Sequence, residues 1–221
     1  MKSVLTSIRP KWCGLIASGK KTIEARKTYP KLPTPFKCYI YCTKDPKLSF
    51  WRSKTYAYAD DRSHNMYDIR GNGKVIGEFV CDKVDTLFND SGNLENYMHD
   101  ILPEILKNTA MCLHEFGAYV GNRGKGKNIY GWHISDVKIY DKPRELSKFG
   151  VEDKPAIKAC KHRFRAGQPE YVARNGGWLQ GGWGCMKTGE PEWCENCLTK
   201  PLTRPPKSWC YVEDDKTEER K

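Results

Sequence analysis

Residues 18–26 read SGKKTIEAR and join a short predicted helix to a predicted strand. Gly19 allows the left-handed backbone conformation in which helices commonly end. In the strand that follows, a side-chain period of two places Thr22, Glu24 and Arg26 on one face. A carboxylate flanked by cations stays ionised and can accept hydrogen bonds from a nucleobase edge, while the cations hold a phosphate. The alternative is an exposed strand whose salt-bridged charges contribute little to stability.

The candidate binding residues are the polar residues of this stretch and the basic residues near it. They are Arg9, Lys20, Lys21, Thr22, Glu24, Arg26 and Lys27. If the chain is an enzyme, Lys21 is the reactive or charge-stabilising group and Glu24 is the base. That role requires a lowered pKa of Lys21, and its two charged neighbours act in opposite directions, because Lys20 lowers this pKa and Glu24 raises it.

Short strands and a few helices extend outward from this stretch. The hydrophobic patterns predict strands over 4–8, 36–43, 75–81 and 129–140, and helical segments over 94–106 and 112–119. Residues 44–73 show no periodicity and are predicted to form an irregular insertion. We therefore predict an α+β fold, a small mixed β-barrel surrounded by short helices, with a Gly/Cys-rich irregular C-terminal extension.

The spacing Gly19-x-Lys21-x-x-Glu24-x-Arg26, after a short helix and before a strand, resembles the signature of the ASCH domain, a family of the PUA-like superfamily. The resemblance extends over roughly residues 3–145, includes the run YGWHISDVKIYDKP, and is strongest to ASCH proteins of bacteria and their phages. It implies a PUA-like β-barrel with a cleft beside the signature that binds RNA, a nucleotide or a modified nucleoside.

The resemblance does not select one activity, since ASCH proteins have been assigned RNA binding, ribonuclease and N-acetylcytidine amidohydrolase activities. In the amidohydrolase branch it would assign catalysis to a lysine, a threonine and a glutamate. Lys21 matches the lysine, but Glu24 occupies the threonine position and removes that hydroxyl. Glu104 and Glu115 are candidates for the glutamate. RNA or nucleotide binding is our first hypothesis, and hydrolysis of an N-acylcytidine or of RNA is the alternative.

Positive charge is concentrated at one end of this 221-residue chain. The formal net charge is +11, and residues 1–58 hold 13 basic and two acidic residues, so the whole excess lies there. Such a concentration favours a polyanionic partner, although a solvated basic face is the alternative. No apolar run is long enough to span a membrane, and residues 1–14 lack the apolar segment of a signal peptide. We therefore predict a cytoplasmic protein with no membrane partner.

The ten cysteines fall into two groups. Those among apolar residues are predicted to be mostly core fillers: Cys13, Cys38, Cys42, Cys81 and Cys112. The others crowd the last third of the chain, which is rich in glycine: Cys160, Cys185, Cys194, Cys197 and Cys210. Because cytosolic thiols are kept reduced, a disulfide framework is not expected in either group.

The second group predicts a structural zinc site. Cys194 and Cys197 have the C-x-x-C spacing of two ligands on one turn, and Cys185 and Cys210 complete a tetrahedral set. Cys160 or His162 can replace either outer ligand. Such a zinc-stapled interaction module would be a third class of function. The predicted division of the chain is then an ASCH-like domain over 1–148, a Cys/Gly-rich extension over 149–212 and a disordered charged tail over 213–221.

Aromatic and histidine side chains supply further candidates. Trp12, Trp51 and Trp132 can stack on bases, although Trp12 and Trp132 fit a core better. His133, within a predicted strand, fits a structural role better than an acid or base role, and His64 lies in the insertion. No Walker or Rossmann glycine pattern is present, which disfavours hydrolysis of nucleoside triphosphates.

Overall fold

The computed structural model describes residues 2–52, 58–59, 69–89, 101–121, 128–152, 163–165, 183–185 and 199–213. The chain forms two compact units. The larger contains Ser3–Leu146 and Arg204–Cys210, and the smaller contains Met1–Lys2, Ser147–Thr203 and Tyr211–Lys221. The predicted division of the chain into domains over 1–148, 149–212 and 213–221 stays a prediction.

The larger unit is built from short helices and strands. In chain order these are β1 (Lys2–Ile8), α1 (Pro10–Ala17), β2 (Ile23–Arg26), β3 (Phe36–Cys42), β4 (Ser49–Arg52), β5 (Tyr58–Ala59), β6 (Ile69–Arg70), β7 (Val75–Phe88), α2 (Leu102–Thr109), α3 (Leu113–Val120) and β8 (Ile129–Arg144). None of the helices in the described part of the chain is long and apolar enough to cross a membrane.

The main sheet of this unit has the strand order β1-β3-β7-β8-β2. Strands β1 and β3 are parallel, and the other pairs are antiparallel. The predicted α+β class with a mixed sheet is confirmed. The closed barrel is not, because β1 and β2 do not pair among the described residues. Instead, residues 204–210 run beside β1, where the Ser7 N–H donates to the Ser208 carbonyl at 2.9 Å.

The core lies on the inward faces of these strands and beneath α1. Val4, Ile40, Phe79 and Trp132 are fully buried. The thiols predicted to fill the core do so at four positions, Cys13, Cys38, Cys42 and Cys81. Burial raises the pKa of the Cys81 thiol to about 12, which keeps it neutral at physiological pH.

Cys112 differs from the other four, because it is exposed. Its Sγ accepts a hydrogen bond from the Glu115 N–H at the start of α3, and the Glu115 carboxylate accepts one from the Cys112 N–H. The thiol therefore takes the place of a serine in a reciprocal helix cap. Its apolar sequence neighbours predicted burial, but its position at the helix start decides its exposure.

The predicted irregular insertion contains a small antiparallel sheet of order β5-β4-β6. Its strands are two to four residues long, too short to show the alternation that identifies a strand from sequence. Phe50 of β4 is fully buried. Gly71 permits this packing, because a Cβ there would lie 2.6 Å from Ile76 and 2.7 Å from Phe50.

The smaller unit contains short antiparallel pairs. Its strands are β9 (Gly150–Glu152), β10 (Arg163–Arg165), β11 (Trp183–Cys185), β12 (Thr199–Pro201) and part of β13 (Trp209–Glu213). Strand β9 pairs with β12 and, through Gly150, with Glu213, and β10 pairs with β11. Most of the predicted Cys/Gly-rich extension, and the predicted tail after Glu213, lie outside the described residues.

Candidate functional site

A cleft of about 790 Å³ opens beside β2 in the larger unit. Its walls come from the end of β1, from α1, β2 and α3, and from the segment 204–210. This volume is within the usual range for sites that bind small organic ligands. Of the predicted binding residues, Arg9, Lys21, Glu24 and Arg26 line it.

The chain reverses between α1 and β2 to bring these residues to the cleft. Gly19 takes a φ of 73°, the left-handed conformation expected from the sequence. The Lys21 N–H then donates to the Leu15 carbonyl at 3.0 Å, which holds the turn against α1. Strand β2 pairs with β8 so that Glu24 lies opposite the buried Trp132. The hydrogen bond from Lys21 to Leu15 and the pairing of β2 with β8 together fix the turn and the start of β2.

Lys21 is buried and fully engaged. Only 1% of its surface is exposed. Its Nζ donates to the Ile23 carbonyl at 2.8 Å and to the Thr109 carbonyl at 2.9 Å, and lies 3.3 Å from Glu24 Oε2. It also lies 5.1 Å from the centre of the Trp12 ring, a cation–π distance. Because an ammonium has three donors, these acceptors use all of them.

Arg26 and Lys21 approach Glu24 from two sides. Arg26 Nε lies 3.0 Å from Glu24 Oε1, so each carboxylate oxygen faces one cation. Arg26 Nη2 donates to the Ser7 carbonyl at 2.7 Å, and Nη1 contacts the Ser208 carbonyl at 3.3 Å and its Oγ at 3.1 Å. The guanidinium thereby links β2 to β1 and to the segment 204–210. Glu24 lies between two fixed cations and remains part of the cleft wall.

Burial is the main influence on the titration of Lys21. Burial lowers the pKa of Lys21 from the usual value, the negative charge of Glu24 raises it, and the positive charge of Arg26 lowers it further. The sequence predicted opposed influences from Lys20 and Glu24. The structure shows burial as the dominant one, which sequence neighbours alone do not reveal.

The rim of the cleft combines exposed basic side chains with aromatic rings. Arg9 and Lys207 are exposed, and Trp12 and Tyr119 are partly buried. The Tyr119 hydroxyl donates to the Ala25 carbonyl at 3.0 Å, which ties α3 to β2. Burial raises the pKa of Tyr119 to about 12, so the hydroxyl remains a donor. Flat rings and exposed cations are the groups that contact bases and phosphates.

The other three predicted binding residues are exposed and lie outside the cleft walls as the structure describes them. Thr22 donates through its hydroxyl to Asn108 Oδ1 at 3.3 Å. Lys27 Nζ lies 5.3 Å from the centre of the Tyr119 ring. Lys20 points to solvent beside the turn at Gly19.

The remaining sequence candidates divide between the cleft and other places. Glu115 lines the cleft and forms an ion pair with Lys11, whereas Glu104 lies exposed in the first turn of α2. Trp132 belongs to the core, as its sequence context favoured. His133 Nε2 lies 2.8 Å from Asp85 Oδ2, away from the cleft.

The two remaining sequence candidates are Trp51 and His64. Trp51 lies away from the cleft, and the guanidinium carbon of Arg70 lies 5.9 Å from the centre of the Trp51 ring. His64 lies outside the described residues.

Sequence reasoning missed several cleft residues that come from distant parts of the chain. They are Thr43, Met111, His114, Ala118, Tyr119 and Lys207. His114 and Tyr119 project from α3, whose helical pattern was recognised but whose position was not. Lys207 belongs to a Pro-rich segment with no periodicity. No local signal links it to residue 26.

Two of the four predicted zinc ligands, Cys194 and Cys197, lie outside the described residues, as do the substitutes Cys160 and His162. Cys185 ends β11 and Cys210 lies partly buried on β13. The zinc site therefore stays a prediction. A tetrathiolate site would make the Cys/Gly-rich extension depend on metal for its folding.

Elemental analysis tests this zinc prediction. Protein purified without chelator should contain about one zinc per chain, and Cys197→Ser should lose it along with resistance of the C-terminal third to proteolysis. Cys112→Ser is the matched control, because that exposed thiol lies outside the predicted site and a serine can keep its helix cap. Metal-free wild-type protein whose C-terminal third resists proteolysis would contradict the prediction.

Comparisons with known proteins give matches among solved structures. ASCH from Zymomonas mobilis is 15% identical, with a TM-score of 0.43 over 65% of this chain and 73% of its own. A tyrosine-to-phenylalanine mutant of that ASCH is 14% identical, with a TM-score of 0.45 over 99% of this chain and 96% of its own. A serine-to-alanine mutant is 14% identical, with a TM-score of 0.47 over 98% and 92%. No protein-family model and no curated protein matches the chain.

Proposed function

We propose that the cleft binds RNA or a nucleotide. The observation that carries this proposal is the carboxylate of Glu24, which is only 7% exposed and lies between Lys21 and Arg26 on the wall of a cleft with a basic, aromatic rim. A buried ion pair of this kind is costly to desolvate. Its presence in an open cleft is accounted for if the carboxylate contacts a ligand there.

The cleft offers one type of contact to each part of a nucleotide. Glu24 accepts hydrogen bonds from a base edge, and Trp12 or Tyr119 stacks on the base, a contact that contributes about 1–3 kcal/mol. The exposed cations Arg9 and Lys207 contact phosphates. Phosphate contacts supply most of the affinity, whereas base contacts supply selectivity.

The charge of the cleft agrees with a polyanionic ligand. Its basic side chains are Arg9, Lys21, Arg26 and Lys207, and its acidic ones are Glu24 and Glu115. Lys21 and Arg26 are buried and paired within the protein. The exposed Arg9 and Lys207 therefore make the contacts with solvent and ligand. The signature in residues 19–26 resembles that of ASCH domains. RNA binding is one of the activities assigned to ASCH proteins, and this resemblance also supports the proposal.

The enzymatic alternative assigns a reactive role to Lys21. A lysine nucleophile needs a neutral amine with its lone pair directed at the substrate. Here the Lys21 Nζ is oriented by two backbone carbonyls and Glu24, and its side chain is inaccessible. This arrangement favours Lys21 as the group that positions Glu24. Binding is therefore the function that the geometry supports best.

A salt series with short single-stranded RNA tests the proposal. Affinity should fall as salt rises, with a slope of about 0.7 per phosphate contact on logarithmic axes. Arg9→Ala and Lys207→Ala should each weaken binding and make that slope shallower. Lys138→Ala is the control, because Lys138 is an exposed lysine of β8 outside the cleft.

Two outcomes would contradict the proposal. One is absent or salt-independent binding with every RNA and nucleotide tried. The other is equal loss of affinity in Lys138→Ala and in the two cleft variants, because that would indicate general charge attraction without a site. Conversion of RNA or of an N-acylcytidine by the same preparation would instead establish the enzymatic alternative.

A further inference from the structure

We infer that Glu24 makes the cleft selective for a base that presents two adjacent N–H donors, which among the standard bases is guanine. This inference rests on the proposed function and names the ligand class of the same cleft. It follows from how the two cations occupy the carboxylate and from the hydrogen-bonding capacity that remains.

Each oxygen of the Glu24 carboxylate faces one cation of the protein. Oε1 faces Arg26 Nε at 3.0 Å and Oε2 faces Lys21 Nζ at 3.3 Å. An ionised carboxylate has about four lone-pair sites, two on each oxygen. Acceptor capacity therefore remains on both of the adjacent carboxylate oxygens, and Glu24 lines the cleft. An ionised carboxylate has no proton to donate and presents acceptors alone.

The standard bases differ in what they present to such a pair of acceptors. The Watson–Crick edge of guanine carries the N1–H and the 2-amino group next to each other. Adenine and cytosine place an acceptor nitrogen beside their amino group, and uracil places its single N–H between two carbonyls. In those three bases an acceptor faces the carboxylate, which leaves a buried lone pair unpaired and adds repulsion.

The surrounding charge narrows the ligand class further. A guanidinium or amidinium also presents two adjacent donors, but it is cationic. The cleft already contains Arg9, Lys21, Arg26 and Lys207 against Glu24 and Glu115. A neutral base attached to an anionic phosphate fits this balance, whereas a cation does not. The geometry therefore points to a guanine nucleotide unit of RNA.

Five pentanucleotides of the form UUXUU, with guanosine, inosine, adenosine, cytidine or uridine at X, test this inference by calorimetry on the full chain. Inosine lacks only the 2-amino group of guanosine and so removes one of the two donors. The guanosine RNA should bind at least about 10-fold more tightly than the inosine RNA, because inosine loses one hydrogen bond to a charged group. The adenosine, cytidine and uridine RNAs should bind at least as weakly as the inosine RNA.

Glu24→Gln assigns the selectivity to the residue. An amide presents one acceptor and one donor group, so the preference for guanosine over inosine should fall to within about 2-fold while the salt dependence remains. The comparison of guanosine with inosine in the wild-type chain does not depend on this variant folding. Equal binding of all five RNAs would overturn the inference and leave the proposed function standing. Binding of none would overturn both, and an unchanged preference in folded Glu24→Gln would overturn the assignment to Glu24.

Discussion

Replacing Lys21 with methionine should lower the free energy of unfolding by about 3 kcal/mol. Methionine retains the length and apolar stem of the side chain, so packing changes little. The Ile23 and Thr109 carbonyls lose the donor that lies 2.8 and 2.9 Å away, and Glu24 loses one of its two cations. Unpaired buried polar groups are costly. The expected loss is at the low end for a broken buried ion pair, because methionine also removes the cost of burying the lysine charge.

A double-mutant cycle separates the ion pair from the rest of this loss. In Lys21→Met the Glu24 carboxylate keeps only Arg26 as a partner. Glu24→Gln removes that carboxylate. The double variant should therefore lose less stability than the two single variants together, with a coupling of about 1 kcal/mol or more. Denaturant unfolding of the four proteins measures it. Strict additivity would contradict the assigned pairing.

The difference in unfolding free energy between wild type and Lys21→Met depends on pH, and the sign of this dependence is defined. Burial lowers the pKa of Lys21 from its usual 10.5, so below that pH the unfolded chain holds more protons at this site than the native state. The contribution of Lys21 to stability therefore rises as pH increases towards 10.5. The variant lacks this contribution. The stability difference between wild type and Lys21→Met should grow from neutral pH into that window, while titrations common to both proteins cancel.

Lys20→Met is the matched control for Lys21→Met, because the two lysines are adjacent and differ in burial. Lys20 is exposed, and its replacement should change stability by less than about 0.5 kcal/mol. Equal effects of the two substitutions would contradict the role given to Lys21.

This pair of lysines also shows where sequence reasoning ends. The sequence predicts a turn at Gly19 and a strand after it, and the structure has both. Which lysine is buried depends on Thr109, the last residue of α2, whose carbonyl receives the Lys21 ammonium. That contact joins residues far apart in the chain, so no local pattern predicts it.

The strands show the same limit in a different form. Strand β3 was predicted over its whole length, because Phe36–Cys42 is rich in aromatic and β-branched residues. Strand β7 continues to Phe88, beyond the predicted end at residue 81, through residues that are mostly exposed or half-buried. Its pairing with β8 shifts register several times. Bulges of this kind interrupt the alternation on which strand prediction depends.

Arg26→Ala should lower the free energy of unfolding by about 4 kcal/mol, because it removes one partner of a buried ion pair and several buried donors. The Ser7 and Ser208 carbonyls lose the guanidinium that joins them to β2. Arg26→Lys keeps the charge but not the planar fork, so it should recover less than half of the loss.

The segment 204–210 provides a local readout of that loss. The Ser7 N–H donates to the Ser208 carbonyl, which the Arg26 guanidinium also contacts, so the Ser7 amide should exchange with solvent faster in Arg26→Lys. Arg204→Ala is the control, since Arg204 is an exposed arginine of the same segment. An effect of Arg26→Ala no larger than that of Arg204→Ala would contradict the structural role. Full recovery of stability in Arg26→Lys would show that charge alone matters, whereas partial recovery with faster Ser7 exchange indicates that the directed hydrogen bonds hold the cleft wall together.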